Sequence, residues 1–432
     1  MKKLSLFQIV LLCIFGALAV AGVLIFAFAV GGGTTNTVGA IKIWGTMEAQ
    51  AFGDIVRELA DDNPQLSQVT YEQKDPTTYE SELTNALASG GGPDLFLLRQ
   101  DYALKNAGKV AIIPFSALSQ SQFQDTFIEA SAPFLAENGV IGVPLFADPL
   151  ILYWNKDMLA SGGFAQPPKY WDELFNIAQK ISTRNDSGTI TRSAIALGEY
   201  RNINNAKDIL ATLILQAGGS ITAYDEGGNL RPALVSRAET SAQAGVSALR
   251  FYTEFADPSK DDYSWNRSLP EAQKAFASGD LALYVGYASE KSQIAHANPN
   301  LNFAIAPIPQ VRAAQNALDT ARVYALSASR AGKNPGGAIT VAFLLVSSDN
   351  AKALSQALGM PSARRDVVSQ PATGDDNLLN KQVILAHSWF DPDPEATAGF
   401  FRAMIENTTS GSLQVSEAIQ RADQEMTNIL EL

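Results

Sequence analysis

The stretch GVPLFADPLILYWNKD, Gly142–Asp157, decides how the chain is read. Val140–Val143 and Leu150–Trp154 read as short apolar strands on either side of a Pro144–Pro149 connection that carries one carboxylate, Asp148. Toward the N-terminus, Val38–Trp44 is β-prone, and Ala49–Asp61 places Phe52, Ile55, Val56 and Leu59 on one helical face. Val69–Gln73 and Asp94–Leu98 read as further strands, with a helix over Thr78–Ala88 between them. Gly90-Gly91-Gly92-Pro93 reads as the turn that ends this helix, because glycine is the usual residue past a helix C-terminus. It is not a phosphate cradle, since no Lys-Ser/Thr follows and no helix opens after it. Toward the C-terminus the alternation recurs, with helices over 170–182, 206–217, 238–255, 338–347 and 413–430 and strands near Leu281–Val285 and Asn302–Ile308. Such alternation indicates βαβ units and an α/β fold with a largely parallel sheet.

Composition narrows the function. The chain has 432 residues, a formal charge of −12, one cysteine and two histidines. Lys2 and Lys3 are the only charges before Lys42, so the remainder carries −12 − 2 = −14. A general field of that sign argues against nucleic acid or anionic lipid as a partner. Cys13 lies in an apolar tract, leaving the body without a disulfide, a thiol nucleophile or a cysteine-based metal site. His296 and His387 are far apart, and no HExxH spacing or nucleophile elbow occurs. Asp261-Asp262 and Asp375-Asp376 lie in turn-rich segments and read as solvated loops rather than a hydrolytic pair. Asp225-Glu226-Gly227-Gly228-Asn229 reads as a β-turn, lacking the spacing of a calcium loop. The chain is thus expected to be a binder and not an enzyme, with no cofactor and no metal.

Residues 4–30 are almost entirely apolar and, as a helix, would be about 40 Å long at 1.5 Å per residue. That exceeds a hydrocarbon core of about 30 Å and the usual signal-peptide h-region of about 7–15 residues. An uncleaved transmembrane anchor is the expectation, with a cleaved signal ending near Ala27-Phe28-Ala29 as the alternative. Lys2 and Lys3 would hold the N-terminus in the cytoplasm and place the body outside. Residues 31–37, Gly-Gly-Gly-Thr-Thr-Asn-Thr, read as a flexible linker.

Several blocks resemble the maltose-binding-protein-like extracellular solute-binding proteins of ABC importers. They are Gly91–Phe96 (GGPDLF), Gly142–Asp157, Pro167–Leu174, Ala275–Leu283, Phe303–Pro309 and Gly359–Arg365, in that order. The resemblance covers about residues 40–430. It implies a two-lobed periplasmic-binding-protein-like fold with a ligand cleft between the lobes. The lobes are expected at 38–147 plus 305–348 and at 148–304 plus 349–432. Crossovers would lie near Phe146–Leu150, Ala304–Pro309 and Ser347–Leu358. It also implies a small-molecule ligand, permease subunits as partners and a monomeric body. A surface-anchored sensor or a binder of peptide or polyamine remains the alternative.

Ligand sites in open α/β sheets lie at the carboxyl ends of strands. The candidates there are Trp44, Met47 and Glu48 after the first strand, Arg99 and Asp101 after Leu98, Asp148 in the crossover and Tyr287 after the strand near Leu283. Trp265, Trp389 and Arg364 come from later loops. Aromatic faces suit the C–H faces of sugars, and carboxylates and guanidinium groups suit their hydroxyls, so a neutral or weakly charged oligosaccharide is expected. Tyr153, Trp154 and Trp171 lie in apolar patterns and are assigned to the core.

Overall fold

The computed structural model describes residues 38–235, 239–314 and 316–431. Along the chain, the elements that position the cleft are β1 (Ile41–Gly45), α1 (Ala49–Asp62), β2 (Val69–Gln73), α2 (Tyr79–Ser89), β3 (Leu95–Arg99) and β4 (Val143–Asn155). They continue with β5 (Ile190–Ile195), α3 (Ala206–Gln216), α4 (Glu239–Glu254), β6 (Leu281–Tyr287), β7 (Phe303–Ala306) and β8 (Asp319–Ala328). The C-terminal part supplies α5 (Ser348–Leu358), α6 (Pro394–Thr409) and α7 (Val415–Leu430).

The local signals explain the first units. Glu48 caps α1 by accepting from the N–H groups of Gln50 and Ala51, while Phe52, Ile55 and Val56 turn into the core. Gly90 ends α2 at φ +72°, a left-handed conformation that glycine adopts without steric cost, as the sequence anticipates. Strands β2, β1 and β3 then lie side by side and parallel, and β8 joins antiparallel to β3.

Residues Gly142–Asp157 differ from expectation in one respect. The two short strands and their proline connection form a single thirteen-residue strand, β4, with twelve residues buried. Its first part, Val143–Pro149, pairs with β8, and its second part, Leu150–Asn155, lies between β6 and β7. The β4–β8 ladder shifts register between Tyr324 and Ala325, opposite Phe146 and Pro144, which accommodates Pro144. On the other side of the first part, Ala147 donates to the Pro361 carbonyl and Ala363 to that of Leu145.

Two hydrophobic cores define two lobes. Ile41, Phe52, Phe96, Phe134, Leu145 and Val323 belong to the first. Leu152, Leu210, Tyr252, Trp265, Phe276 and Phe401 belong to the second. Residues 349–386 were expected in the second lobe, yet Leu354, Met360, Ala363, Val368 and Val383 pack into the first core, while Leu379 joins the second. The stretch expected to cross between lobes at Ser347–Leu358 is helix α5, which buries Asn350, Ala351 and Leu354 and packs against α1. The tract 4–30 and the linker 31–37 lie outside the described residues. Among those described, no helix is long and apolar enough to cross a membrane.

Candidate ligand-binding cleft

The cleft forms where β3, β4, β6 and β8 end or cross between the two cores. Gln100, Asp101, Thr320, Ala321 and Arg322 line its first-lobe wall. Lys207, Asp208 and Ala211 of α3, Tyr287 at the end of β6, and the 387–391 loop line the second. These side chains leave about 30 Å³ of free space between them, room for a water or two. A sugar-sized ligand therefore requires the lobes to part.

Each lining charge has a partner. Arg99 grips Asp101 through two bonds of 2.6 and 2.7 Å. Burial pushes the Asp101 carboxyl up, but the guanidinium outweighs it and holds the group below the usual carboxylate range. Lys207 donates to Asp391 at 2.6 Å and to Thr397 Oγ1 at 2.8 Å, with its ammonium 5.3 Å from the Trp389 ring centre. Burial nevertheless pushes Asp391 up to about 6, against the opposing pull of Lys207. Arg322, from the first lobe, donates to Asp208 at 3.1 Å and stacks 3.8 Å above the Tyr287 ring centre. Three cations thus face three carboxylates.

Asp148 sits at the floor, where it is the ladder partner of Arg322. Its oxygens are already engaged: Ser289 donates its N–H at 3.0 Å and its hydroxyl at 2.6 Å. Burial pushes Asp148 up to about 6, more than these hydrogen bonds draw it down.

Of the residues singled out from sequence, Asp101, Tyr287 and Trp389 converge on the cleft, with Arg99 behind Asp101 and Asp148 beneath. The others do not line it. Trp44 is nearly buried; its indole donates to Glu72 at 2.8 Å and Lys74 lies 3.8 Å over its ring. Met47 packs against the first core and accepts from the Tyr71 hydroxyl through its carbonyl, and Glu48 is the cap of α1. Trp265 is 1% exposed in the second core, donating to Asn202 at 3.1 Å. Arg364 donates two hydrogen bonds to the Asp366 carboxylate and one to the Val346 carbonyl.

Lys207, Asp208, Arg322 and Asp391 were missed. Lys207 and Asp208 stand in the first turn of α3, whose range was read as helical without assigning its polar residues. Asp391 follows Trp389-Phe390 and was within reach of the same loop reading. Arg322 lies in β8, a strand that was not read from the sequence.

At its rim the cleft is bridged again. Lys105 donates to Asp393 at 3.1 Å and contacts Glu395, whose other oxygen accepts from the Tyr102 hydroxyl at 3.1 Å. Ser388 donates across to the Ala130 carbonyl at 2.9 Å.

Comparison with known proteins agrees with this architecture. The GacH receptor of Streptomyces glaucescens, solved unliganded and with acarbose, superposes with a TM-score of 0.69 at 19% identity, covering 91% of this chain and 98% of that one. The sugar-binding protein MalE of Xanthomonas citri gives 0.70 at 20% identity, covering 91% and 97%. A cyclo/maltodextrin-binding protein complexed with maltotetraose gives 0.70 at 16%, covering 92% and 98%. At the sequence level the chain is 24% identical to a binding protein of Brucella abortus over 131 residues, 30% of this chain and 32% of that protein. It is 26% identical to the maltotriose-binding protein of Pyrococcus abyssi over 152 residues, 34% of this chain and 32% of that one. The chain thus spans about a third of the length of the curated relatives it matches. The model of the bacterial extracellular solute-binding proteins matches residues 54–381, well over half of the chain. With two lobes, a cleft between them and this match, the chain belongs to the bacterial extracellular solute-binding protein family.

Proposed function

We propose that the protein is the extracytoplasmic solute-binding component of an ABC importer, taking a neutral sugar or oligosaccharide between its lobes and delivering it to a membrane permease. The observation that carries the ligand class is the charge balance of the cleft. Arg99, Lys207 and Arg322 are matched by Asp101, Asp208 and Asp391, beside the rings of Tyr287 and Trp389. Paired charges offer strong, oriented hydrogen bonds to hydroxyls without favouring a net charge on the ligand. Relatives and neighbours described with maltotriose, maltotetraose and acarbose support the same class.

In this reading Asp101, Lys207, Arg322 and Asp391 bond sugar hydroxyls, and Tyr287 and Trp389 present apolar faces. Arg99 orients Asp101, and Asp148 fixes the floor through Ser289. The lobes comprise 38–147 with 319–386, and 148–306 with 387–431, and opening bends the chain where β4 passes Asp148. The tract 4–30 anchors the monomeric body to the membrane with its N-terminus in the cytoplasm, and 31–37 is the tether.

Thermal unfolding against a panel of maltodextrins, peptides and polyamines tests the ligand class. A true ligand at 100 times its Kd adds about 2.7 kcal/mol to stability. Stabilisation by maltodextrins is expected. A response confined to peptides or spermidine would replace the sugar reading with the sensor or polyamine one.

A further inference from the structure

The pole of the first lobe farthest from the cleft carries a feature that ligand capture does not use. It is built from the N-terminal edge of β1 and β3 and the C-terminal edge of β8. Lys109 and Arg330 line one hollow of about 400 Å³ there. Lys42, Lys333 and Asp94 line a second of about 250 Å³, and the two hollows share Leu87 and Ala331. The Arg330 N–H donates to the Lys109 carbonyl at 2.9 Å, tying the two segments together. Lys42 lies 3.8 Å from Glu72. Lys109 bonds only the neutral side chains of Thr84 and Asn106. Among the described residues, Lys109, Arg330 and Lys333 form no ion pair, and Arg330 and Lys333 are exposed. Three cations without an ion pair therefore share one pole, beside the carboxylate of Asp94, on a body whose charge is −14.

The chain enters the fold at this same pole. Asn334 donates its side-chain N–H to the Val38 carbonyl at 2.6 Å, one residue beyond Lys333. The apolar tract 4–30 ends seven linker residues earlier, a reach of at most about 25 Å at 3.3–3.6 Å per residue.

We propose that this pole is a docking surface for an anionic lipid bilayer, which holds the tethered body against the membrane. The proposal rests on the reading of 4–30 as an anchor, which supplies the local concentration. The acidic body does not prevent docking, because at physiological salt charges beyond about 8 Å are largely screened, whereas the basic pole meets the headgroups directly. Each basic residue at an anionic leaflet contributes roughly fivefold to partitioning.

The full chain, reconstituted into nanodiscs of phosphatidylcholine with or without one-third phosphatidylglycerol, tests this by hydrogen exchange of segments 88–94, 107–111 and 328–335. Protection is expected only in the anionic discs, and it should vanish at high salt and in the R330E/K333E variant. Equal exchange in the two discs, or an unchanged variant, overturns docking. Protection by soluble glycerol phosphate alone would overturn it too, marking a small-anion pocket instead. Flotation with phosphatidylcholine vesicles reads the anchor separately: a chain that fails to float has lost the anchor reading, while lipid-dependent protection still decides the docking surface.

Discussion

Arg322 of the first lobe lies 3.8 Å above the ring of Tyr287 in the second and donates to Asp208 at 3.1 Å beside it. A single side chain thus occupies both an aromatic face and a carboxylate of the opposite wall, the two groups a sugar would use. Stacking of this kind contributes about 0.5–2 kcal/mol, and a hydrogen bond to a charged group about 1.5–3 kcal/mol.

Arg322→Ala should therefore favour lobe opening. Small-angle scattering without ligand is expected to show a larger radius of gyration than for the parent, with stability lowered by about 1–2 kcal/mol. An unchanged radius would mean that Arg322 does not hold the lobes together.

The two tryptophans from late loops should separate binding from folding. Trp265→Ala empties a fully buried site and should cost about 3–5 kcal/mol of stability. Trp389→Ala removes a cleft wall that is only partly buried. Its main effect should be at least tenfold weaker sugar binding by calorimetry, with a smaller drop in denaturation midpoint. Equal affinity in Trp389→Ala and parent would take that ring out of the site.

Stability should decline between acid and neutral pH. Burial raises Asp148 and Asp391 to about 6, above an unfolded value of about 3.9, so the native state binds these protons more tightly. Their contribution is complete below the unfolded value and is lost as pH rises through about 6. Unfolding free energies from urea titrations at pH 5 and pH 7.5 should differ in that direction, by at most a few kcal/mol in total. Asp148→Asn, which cannot ionise, should flatten the difference; an undiminished slope would exclude Asp148 as its source.

Glu48→Ala should weaken folding without touching ligand. Loss of a cap that serves two backbone N–H groups costs about 1 kcal/mol. Affinity for the ligand found in the panel should be unchanged, and a fall in affinity would return Glu48 to the binding surface.

Local structure was readable wherever the chain carries its own punctuation. Gly90 closes α2, and Phe52, Ile55 and Val56 mark the inner face of α1. Asp101 and Tyr287 line the cleft because strand-end loops gather at one edge, and Trp389 joins them from a later loop. Polar neighbours misled at Trp265. Ser264 accepts from the N–H groups of Ala194 and Ile195, and Asn202 binds the indole, so the polarity around that tryptophan serves the core rather than solvent. Arg322 and Asp208 are 114 residues apart and meet only after the chain has crossed between lobes, a relation no window on the sequence contains. Residues 349–386 were expected in the second lobe, and Leu354, Met360 and Val383 pack into the first core for the same reason. Nothing in a helix such as α5 states which core it will cover.

The continuity of β4 bears on how the molecule comes apart. One strand is a central member of both cores, buried at twelve of thirteen positions. Neither half can melt without exposing residues that the other needs in place. Heating should produce one transition rather than two, and a nick between Phe146 and Ile151 should leave no fragment that folds alone. In the proposed reading the lobes part by bending at β4, and capture and release then proceed within a single cooperative unit.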